Sequence, residues 1–157
     1  KSPIKTVSAS GVSIVSPTPD IANARIEFEN GAVANLTASR ISLKNMRKHR
    51  VFQKDAYITI DFLDKKTDIV SIHDVQGEPS PLAMTLNLPD GSCKQITIEQ
   101  QEVLQNNAIK TELERFHDAI VGNTEPPVTI EDGVEVLKVA YMILDEMKKH
   151  RELLENL

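Results

Sequence analysis

The chain has 157 residues, a formal net charge of −5 and one cysteine, Cys93. This length suits a single domain, 1–157, with a core of its own. The acidic balance argues against a nucleic-acid partner, and no apolar run is long enough to span a membrane. A single cysteine excludes an internal disulfide, so we expect a reducing compartment and a cytoplasmic location.

Most of the chain has the two-residue alternation of β-strands. Strands are predicted over 4–15, 20–29, 32–42, 49–53, 56–62, 67–73, 83–88 and 93–99. Gly11 is a candidate β-bulge within the first of them. The Pro- and Gly-containing stretch 76–81 predicts a loop, and Pro89-Asp90-Gly91 predicts a tight turn.

The C-terminal third changes to the 3.6-residue period of helices. Asn107 is placed to cap a helix that ends at Gly122, and Thr129 and Asp132 predict the capping box of a second helix. The first helix carries an apolar stripe of Ile109, Leu113, Phe116 and Ile120. The second carries a broader stripe, expected to be mostly buried, of Val134, Val136, Leu137, Ala140, Tyr141, Ile143, Leu144 and Met147. Strands followed by helices predict an α+β fold: a large, mostly antiparallel open sheet with helices on one face.

The segment ARIEFENGAVANLTASR (24–40) reads as a hairpin around Asn30-Gly31, and two registers are open to it. A two-residue turn would pair Ile26 with Asn35 and mix polar and apolar residues on both faces. A three-residue loop, with Gly31 in the left-handed region, would instead pair Ile26 with Ala34. Only the second register gives a wholly apolar face, so we predict the second.

The other face of that hairpin is polar without the density of charge typical of bulk surface. It carries Asn23, Arg25, Val33, Asn35, Thr37 and Ser39. A solvated sheet face is one interpretation, since antiparallel sheets often face water on one side. The other is an oligomer interface, because two helices cannot cover both sides of a large sheet. We predict the interface.

Three segments resemble the C-terminal domain of Gfo/Idh/MocA oxidoreductases, the NAD(P)-dependent relatives of glucose–fructose oxidoreductase and inositol dehydrogenase. They are DIANARIEFENGAVANLTASRIS (20–42), MRKHRVFQKDAYITIDF (46–62) and ELERFHDAIVGNTEPPVTIEDGVEVLKVAYMI (112–143). The resemblance implies a dihydrodipicolinate-reductase-like C-terminal domain whose free sheet face builds a homo-oligomer, a dimer or tetramer, and helps close a sugar site. The variant TASRIS (37–42) followed by MRKHRVFQ (46–53) resembles bacterial members thought to act on nucleotide-linked amino sugars.

The resemblance also implies a missing half. The cofactor domain of this family carries a G-x-G-x-x-G turn, and no G-x-G occurs in this sequence. The Glu-Lys-Pro motif that supplies the catalytic lysine of the family is absent too. We therefore assign this chain no catalytic or cofactor-binding residue, and expect the parent to use NAD or NADP through an N-terminal Rossmann domain.

Residues 30–54 contain six Lys and Arg side chains and no acid. Since the whole chain has a net charge of −5, the residues outside this segment have a net charge of −11. Such a cluster can hold a phosphate or carboxylate through bidentate contacts. Pairing with acids of another domain or subunit, or a solvated loop, remain open. As substrate-binding candidates we name Arg40, Arg47, Lys48, His49 and Arg50.

The remaining polar residues suggest no further chemistry. The four histidines lack metal-ligand spacing, so we predict no metal site. His117 beside the first helical stripe is expected to be a surface or packing residue rather than a catalytic base. Asp61 and Asp64 are close in sequence, and alternation with Ile60 and Phe62 predicts that Asp61 faces solvent or an interface.

Two functional classes follow. The first is the substrate and oligomerisation domain of a sugar oxidoreductase, in which this chain alone is not catalytic. The alternative is a stand-alone, non-enzymatic module that binds a ligand or dimerises through its open sheet face.

Overall fold

A computed structural model describes residues 2–75, 84–102 and 107–155. The strands are β1 (Ile4–Val12), β2 (Ile21–Phe28), β3 (Val33–Ser39), β4 (Lys48–Gln53), β5 (Ala56–Asp61), β6 (Lys66–Asp74), β7 (Met84–Asn87) and β8 (Cys93–Glu102). The helices are α1 (Ala108–Gly122) and α2 (Ile130–Glu155). The loop predicted over 76–81 lies outside the described residues. The α+β class, with antiparallel strands and two C-terminal helices, is confirmed.

The strands hydrogen-bond as two antiparallel sheets, one in the order β1-β2-β3 and the other in the order β4-β5-β6-β8-β7. The chain likewise divides into two compact units. The first unit, 1–43 with 108–157, contains the three-stranded sheet and both helices. The second, 44–107, contains the five-stranded sheet.

The predicted hairpin register of the three-stranded sheet is confirmed. Ile26 pairs with Ala34 and Ala24 with Leu36. Phe28 donates its N–H to the carbonyl of Ala32, which closes a three-residue loop, and Gly31 has φ +84°. Ala24 and Ile26 are 8% and 3% exposed. Burial of this face selects the register, because a slip of one residue would bury Arg25 instead.

Strand β1 begins at Ile4 as predicted but differs from the prediction in where it ends and in where its bulge lies. It stops at Val12 rather than at residue 15 because the N–H groups of Ile14 and Val15 bond to the carboxylate of Asp20 instead of to a strand. Its register irregularity lies between Ile4 and Thr6, so the bulge predicted at Gly11 is wrong.

Gly11 has a packing role instead. A Cβ at this position would lie 2.9 Å from Sδ of Met147 and 3.0 Å from Cβ of Pro19. Met147 belongs to α2, which packs against β1. The missing side chain therefore lets helix and strand approach each other closely.

The predicted helix ends are confirmed, with one change in detail. The carboxylate of Asp132 accepts from the N–H of Thr129 at 3.2 Å, and the hydroxyl of Thr129 accepts from the N–H of Asp132 at 3.1 Å. Helix α1 ends at Gly122, but Asn123 takes the left-handed conformation with φ 48°. The N–H of Thr124 then donates to the carbonyl of Ala119, the bonding of a Schellman motif.

The prediction that the stripe of α2 is mostly buried is wrong for this chain, and the stripe of α1 is exposed as well. Met147 is buried, Ile143 and Val139 are half-buried, and in α1 Ala119 is buried. Ala140 is exposed. The remaining stripe residues are 45–70% exposed: Ile109, Leu113, Phe116, Ile120, Val134, Val136, Leu137, Tyr141 and Leu144. An apolar period identifies the side of a helix suited to burial, but it does not identify what covers that side.

The five-stranded sheet forms from short hairpins. Gln53 pairs with Ala56 across the Lys54-Asp55 turn, and Phe52 stacks on Tyr57 with ring centroids 4.7 Å apart. The predicted turn at Pro89-Asp90-Gly91 joins β7 to β8, and Gly91 has φ +83°. Asp90 accepts the N–H of Ser92 at 2.9 Å within that turn.

The close approach at Gly11 can be tested with Gly11→Ala. The added methyl group must displace Met147 or Pro19, so we expect a loss of about 1–3 kcal/mol in the free energy of unfolding. Gly133→Ala is the matched control, because a Cβ there meets nothing within 4 Å. In the helix it should stabilise by about 0.5–1 kcal/mol. Urea denaturation measures both, and an unchanged midpoint for Gly11→Ala would contradict the packing described.

Candidate functional site

The polar face of the three-stranded sheet has an ordered set of side-chain contacts. Thr37 donates its hydroxyl to Oδ1 of Asn23 at 2.9 Å, and Arg25 donates Nη1 to Oδ1 of Asn35 at 3.3 Å. Each pair joins directly opposed residues of β2 and β3. A shallow depression of about 400 Å³ on this face is lined by Ser8, Ser10, Asn23, Arg25, Asn35 and Thr37.

The contacts within the sheet determine which hydrogen-bonding groups of this face remain available. The Oδ1 atoms of Asn23 and Asn35 accept bonds within the sheet, so both amides present N–H donors outward. The guanidinium of Arg25, 52% exposed and bonded at 3.1 Å to Oε1 of Glu27, adds further donors. The predicted interface residues Val33 and Ser39 are also exposed on β3. The face therefore presents donors beside acceptors, the acceptors being the carboxylate of Glu27 and the hydroxyl oxygens of Ser8 and Ser10.

A buried carboxylate organises one end of this sheet. Asp20 is 2% exposed, and its Oδ2 accepts the N–H groups of Ile14, Val15 and Ser16 at 2.7, 2.8 and 3.2 Å. Its Oδ1 accepts the Ser16 hydroxyl at 2.9 Å and lies 3.5 Å from Nε of Arg40. One side chain thus fixes the β1–β2 loop and holds the residue that follows β3.

These hydrogen bonds lower the pKa of Asp20 from 3.8 to about 2, chiefly through the N–H groups of Ile14 and Val15. Sequence reasoning did not identify Asp20. The signal was present, since an aspartate directly before a strand and after two nearby prolines is suited to bond a turn. Arg40, a predicted substrate contact, has its guanidinium paired with Asp20 and bonded to the carbonyl of Pro19. Its side chain is still 57% exposed.

In the second unit, Asp61 differs from the prediction because it is buried, at 8% exposure. Its Oδ2 lies 2.9 Å from Nζ of Lys48, its direct cross-strand neighbour, and its Oδ1 accepts the N–H groups of Leu63 and Asp64. The turn after β5 covers the carboxylate. These bonds, first that from Asp64 and then that from Lys48, lower the pKa of Asp61 to about 2.

The predicted basic residues of β4 do not all share one face. Alternation places Lys48 and Arg50 on one side of the strand and His49 on the other. Lys48 is occupied by Asp61, which raises the pKa of the lysine. Arg47 and Arg50 are exposed and form no ion pair with any described residue. Arg50 is therefore the stronger candidate for an anionic ligand on the face of Lys48.

Three further observations concern possible sites and a membrane span. Among the described residues, no three His, Cys, Asp or Glu side chains are grouped to hold a metal ion. His117 is a surface residue, 3.4 Å from the carboxylate of Asp118. No helix in the described ranges is long and apolar enough to cross a membrane.

Residues 5–153 match the oxidoreductase family's C-terminal alpha/beta domain, the C-terminal domain of the GFO/IDH/MocA group. The chain belongs to the Gfo/Idh/MocA oxidoreductase family. It is 41% identical over 63 residues to UDP-N-acetylglucosamine 3-dehydrogenase of Acidithiobacillus ferrooxidans, a stretch that covers 40% of this chain and 20% of that protein. The solved structure of that dehydrogenase superposes with a TM-score of 0.77 and 27% identity, over 94% of this chain.

Two solved structures of lower identity share the fold. A levoglucosan dehydrogenase in complex with NADH and levoglucosan has a TM-score of 0.69 at 14% identity and covers 94% of this chain. An inositol dehydrogenase homologue from Azotobacter vinelandii, in complex with NADH and myo-inositol, has a TM-score of 0.59 at 16% identity and covers 95%. This chain spans 43% or 44% of the length of these three solved chains.

The role of Asp20 predicts a specific pH dependence. A carboxylate with a folded-state pKa of about 2 and an ordinary value of 3.8 stabilises the fold above pH 4, and this stabilisation is lost as the pH falls towards 2. Asp20→Asn should lower the melting temperature at pH 7 and reduce the further drop between pH 4 and 2.

Thermal unfolding followed by circular dichroism between pH 2 and 7 measures this. Glu125→Gln, which removes an exposed carboxylate, is the control and should follow the unmodified chain. If Asp20→Asn and the unmodified chain lose the same number of degrees between pH 4 and 2, Asp20 does not hold the loop as described.

Proposed function

We propose that this chain is the substrate-side and oligomer-forming half of an NAD(P)-dependent oxidoreductase that acts on a nucleotide-linked sugar. The parent performs hydride transfer with residues outside this chain, and this chain supplies part of the pocket wall. The observation that carries the proposal is the 41% identity over 63 residues to a UDP-N-acetylglucosamine 3-dehydrogenase.

The charge distribution supports a ligand that bears phosphate. Residues 30–54 hold six basic side chains without an acid, and Arg47 and Arg50 remain exposed. A nucleotide-sugar diphosphate offers several anionic oxygens, and a guanidinium binds such oxygens in bidentate fashion. The other three candidates are weaker. Arg40 is paired with Asp20 and Lys48 with Asp61, and His49 lies on the opposite side of β4.

The surface of the first unit supports partners on two sides. The polar face of Asn23, Arg25, Val33, Asn35, Thr37 and Ser39 is where we place the homo-oligomer contact. The exposed apolar residues of α1 and α2 are where we expect a Rossmann domain of the parent to pack, since a relative of similar fold is more than twice as long. The single cysteine supports a cytoplasmic parent.

Cofactor binding tests whether this chain and the remainder of the parent have separate roles. Isothermal titration of NADH into this 157-residue chain should give no binding, because its sequence has no G-x-G turn to approach a pyrophosphate. The same frame expressed with its upstream coding sequence should reduce NAD or NADP when UDP-N-acetylglucosamine is added. Binding of NADH to the chain alone, or a full-length protein inert towards nucleotide sugars but active on free sugars, would contradict this assignment.

The role of Arg50 as a substrate contact can be tested in the full-length enzyme. Arg50→Gln removes one charge-assisted contact, so KM for the nucleotide sugar should rise about tenfold with little change in kcat. Lys54→Gln is the control, because it removes an equal charge from the turn that follows β4. If KM is unchanged while the oligomer weakens, Arg50 pairs with another subunit rather than with substrate.

A further inference from the structure

Asp20 is a fixed point against which Arg40 is placed. Its carboxylate accepts hydrogen bonds from the N–H groups of Ile14, Val15 and Ser16 and from the Ser16 hydroxyl. None of its side-chain surface is exposed. These donors already match the roughly four acceptor sites of a carboxylate. Asp20 therefore does not depend on Arg40 for its hydrogen bonds.

Arg40 is attached to residues 19 and 20 by its backbone and along one edge of its side chain. Its backbone N–H donates to the carbonyl of Asp20 at 3.0 Å, and its Nε lies 3.5 Å from Oδ1 of the same residue. Its Nη2 donates to the carbonyl of Pro19 at 3.5 Å. The N–H groups of Nη1 and the second N–H of Nη2 remain, and they form the outer end of the planar fork.

Stability alone does not account for this attachment. The Arg40 side chain is 57% exposed, and an ion pair with a solvent-exposed partner adds little to the stability of a fold. Holding a long side chain in one conformation also costs side-chain entropy. The attachment does give the outer N–H groups of Arg40 a fixed direction before a ligand arrives, and such preorganisation strengthens binding.

The ion pair also determines which ligand atoms Arg40 suits. Asp20 is ionised at neutral pH, since the N–H groups of Ile14 and Val15 hold its pKa at about 2. The pair of Asp20 and Arg40 therefore has no net charge. A charge-compensated guanidinium keeps its N–H donors, so it suits an uncharged acceptor such as a hydroxyl or carbonyl oxygen.

We propose that Asp20 is a positioning residue, which holds Arg40 so that the outer N–H groups of its guanidinium donate to an uncharged oxygen of the sugar. The inference rests on the proposed function, because it concerns the sugar of the same nucleotide-linked substrate. Arg40 is the first basic residue of the acid-free segment 30–54, in which we placed the substrate contacts. Its role differs from that of Arg50, whose uncompensated charge suits the phosphate.

A double-mutant cycle in the full-length enzyme tests whether Asp20 acts through Arg40. Arg40→Lys keeps the charge but loses the fork, and Asp20→Asn turns an amide towards Arg40. Each should raise KM for UDP-N-acetylglucosamine about tenfold with little change in kcat. The double variant should be no worse than Arg40→Lys alone, because both changes remove the same contact. Effects on KM that multiply in the double variant, or an unchanged KM in Asp20→Asn, would overturn the proposal.

Loss of stability needs its own control, because Asp20→Asn also loosens the β1–β2 loop. Gly11→Ala is expected to destabilise the same sheet, so it should lower the melting temperature without changing KM. Each assay is made at a temperature at which circular dichroism shows the variant to be folded. If Gly11→Ala raises KM as much as Asp20→Asn does, the effect of Asp20 is structural and the positioning role is wrong.

Inhibition by UDP, which lacks the sugar, tests which part of the substrate Arg40 contacts. The inhibition constant of UDP should be unchanged in Arg40→Lys and Asp20→Asn, and should rise about tenfold in Arg50→Gln. A rise of the same size in Arg40→Lys would place Arg40 on the phosphate and contradict the assignment to an uncharged oxygen.

The outcomes also separate this inference from the proposed function. An unmodified enzyme that oxidises UDP-N-acetylglucosamine, but whose Asp20 and Arg40 variants show no coupling, overturns the inference and leaves the proposed function standing. An unmodified enzyme that is inert towards nucleotide sugars overturns the proposed function, and the inference fails with it.

Discussion

The register of β2 against β3 is the constraint on which the first unit depends. With Gly31 at φ +84° the loop holds three residues, and Ile26 and Ala24 then face the core while Arg25 and Asn23 face outward. A shift of one residue would exchange these sets and bury the guanidinium of Arg25. Both the contact of β1 with α2 and the chemistry of the polar face follow from this one local choice.

Features set by neighbours in sequence could be predicted. The hairpin register, the capping box of Thr129 and Asp132, and the end of α1 each depend on residues within a few positions, and each was confirmed. The bulge assigned to Gly11 failed because a glycine in a strand has two explanations. Close approach to Met147 of α2, about 136 residues away, is visible only once the helix is in place.

The buried carboxylates show a second limit of sequence reasoning. Alternation places Asp61 opposite to Ile60, but it does not tell whether that side is wet. Lys48 stands directly across the strand pair, and the turn that follows donates two N–H groups, so the charge is buried and compensated. The candidate anion site changes accordingly, because a lysine that satisfies a buried aspartate is a weaker ligand for a phosphate than the exposed Arg50.

The exposure of the helical stripes shows the same limit, because a sequence period does not tell what covers a surface. A period of 3.6 residues with residues such as Phe116 and Leu137 specifies a surface suited to burial, yet these side chains remain 56% and 58% exposed. Surfaces of this kind are typical of interaction sites. The two helices and the polar face of β2 and β3 therefore have distinct requirements: the helices suit an apolar cover, whereas the sheet face suits a polar one. One partner surface cannot meet both requirements, which favours separate contacts for the two surfaces.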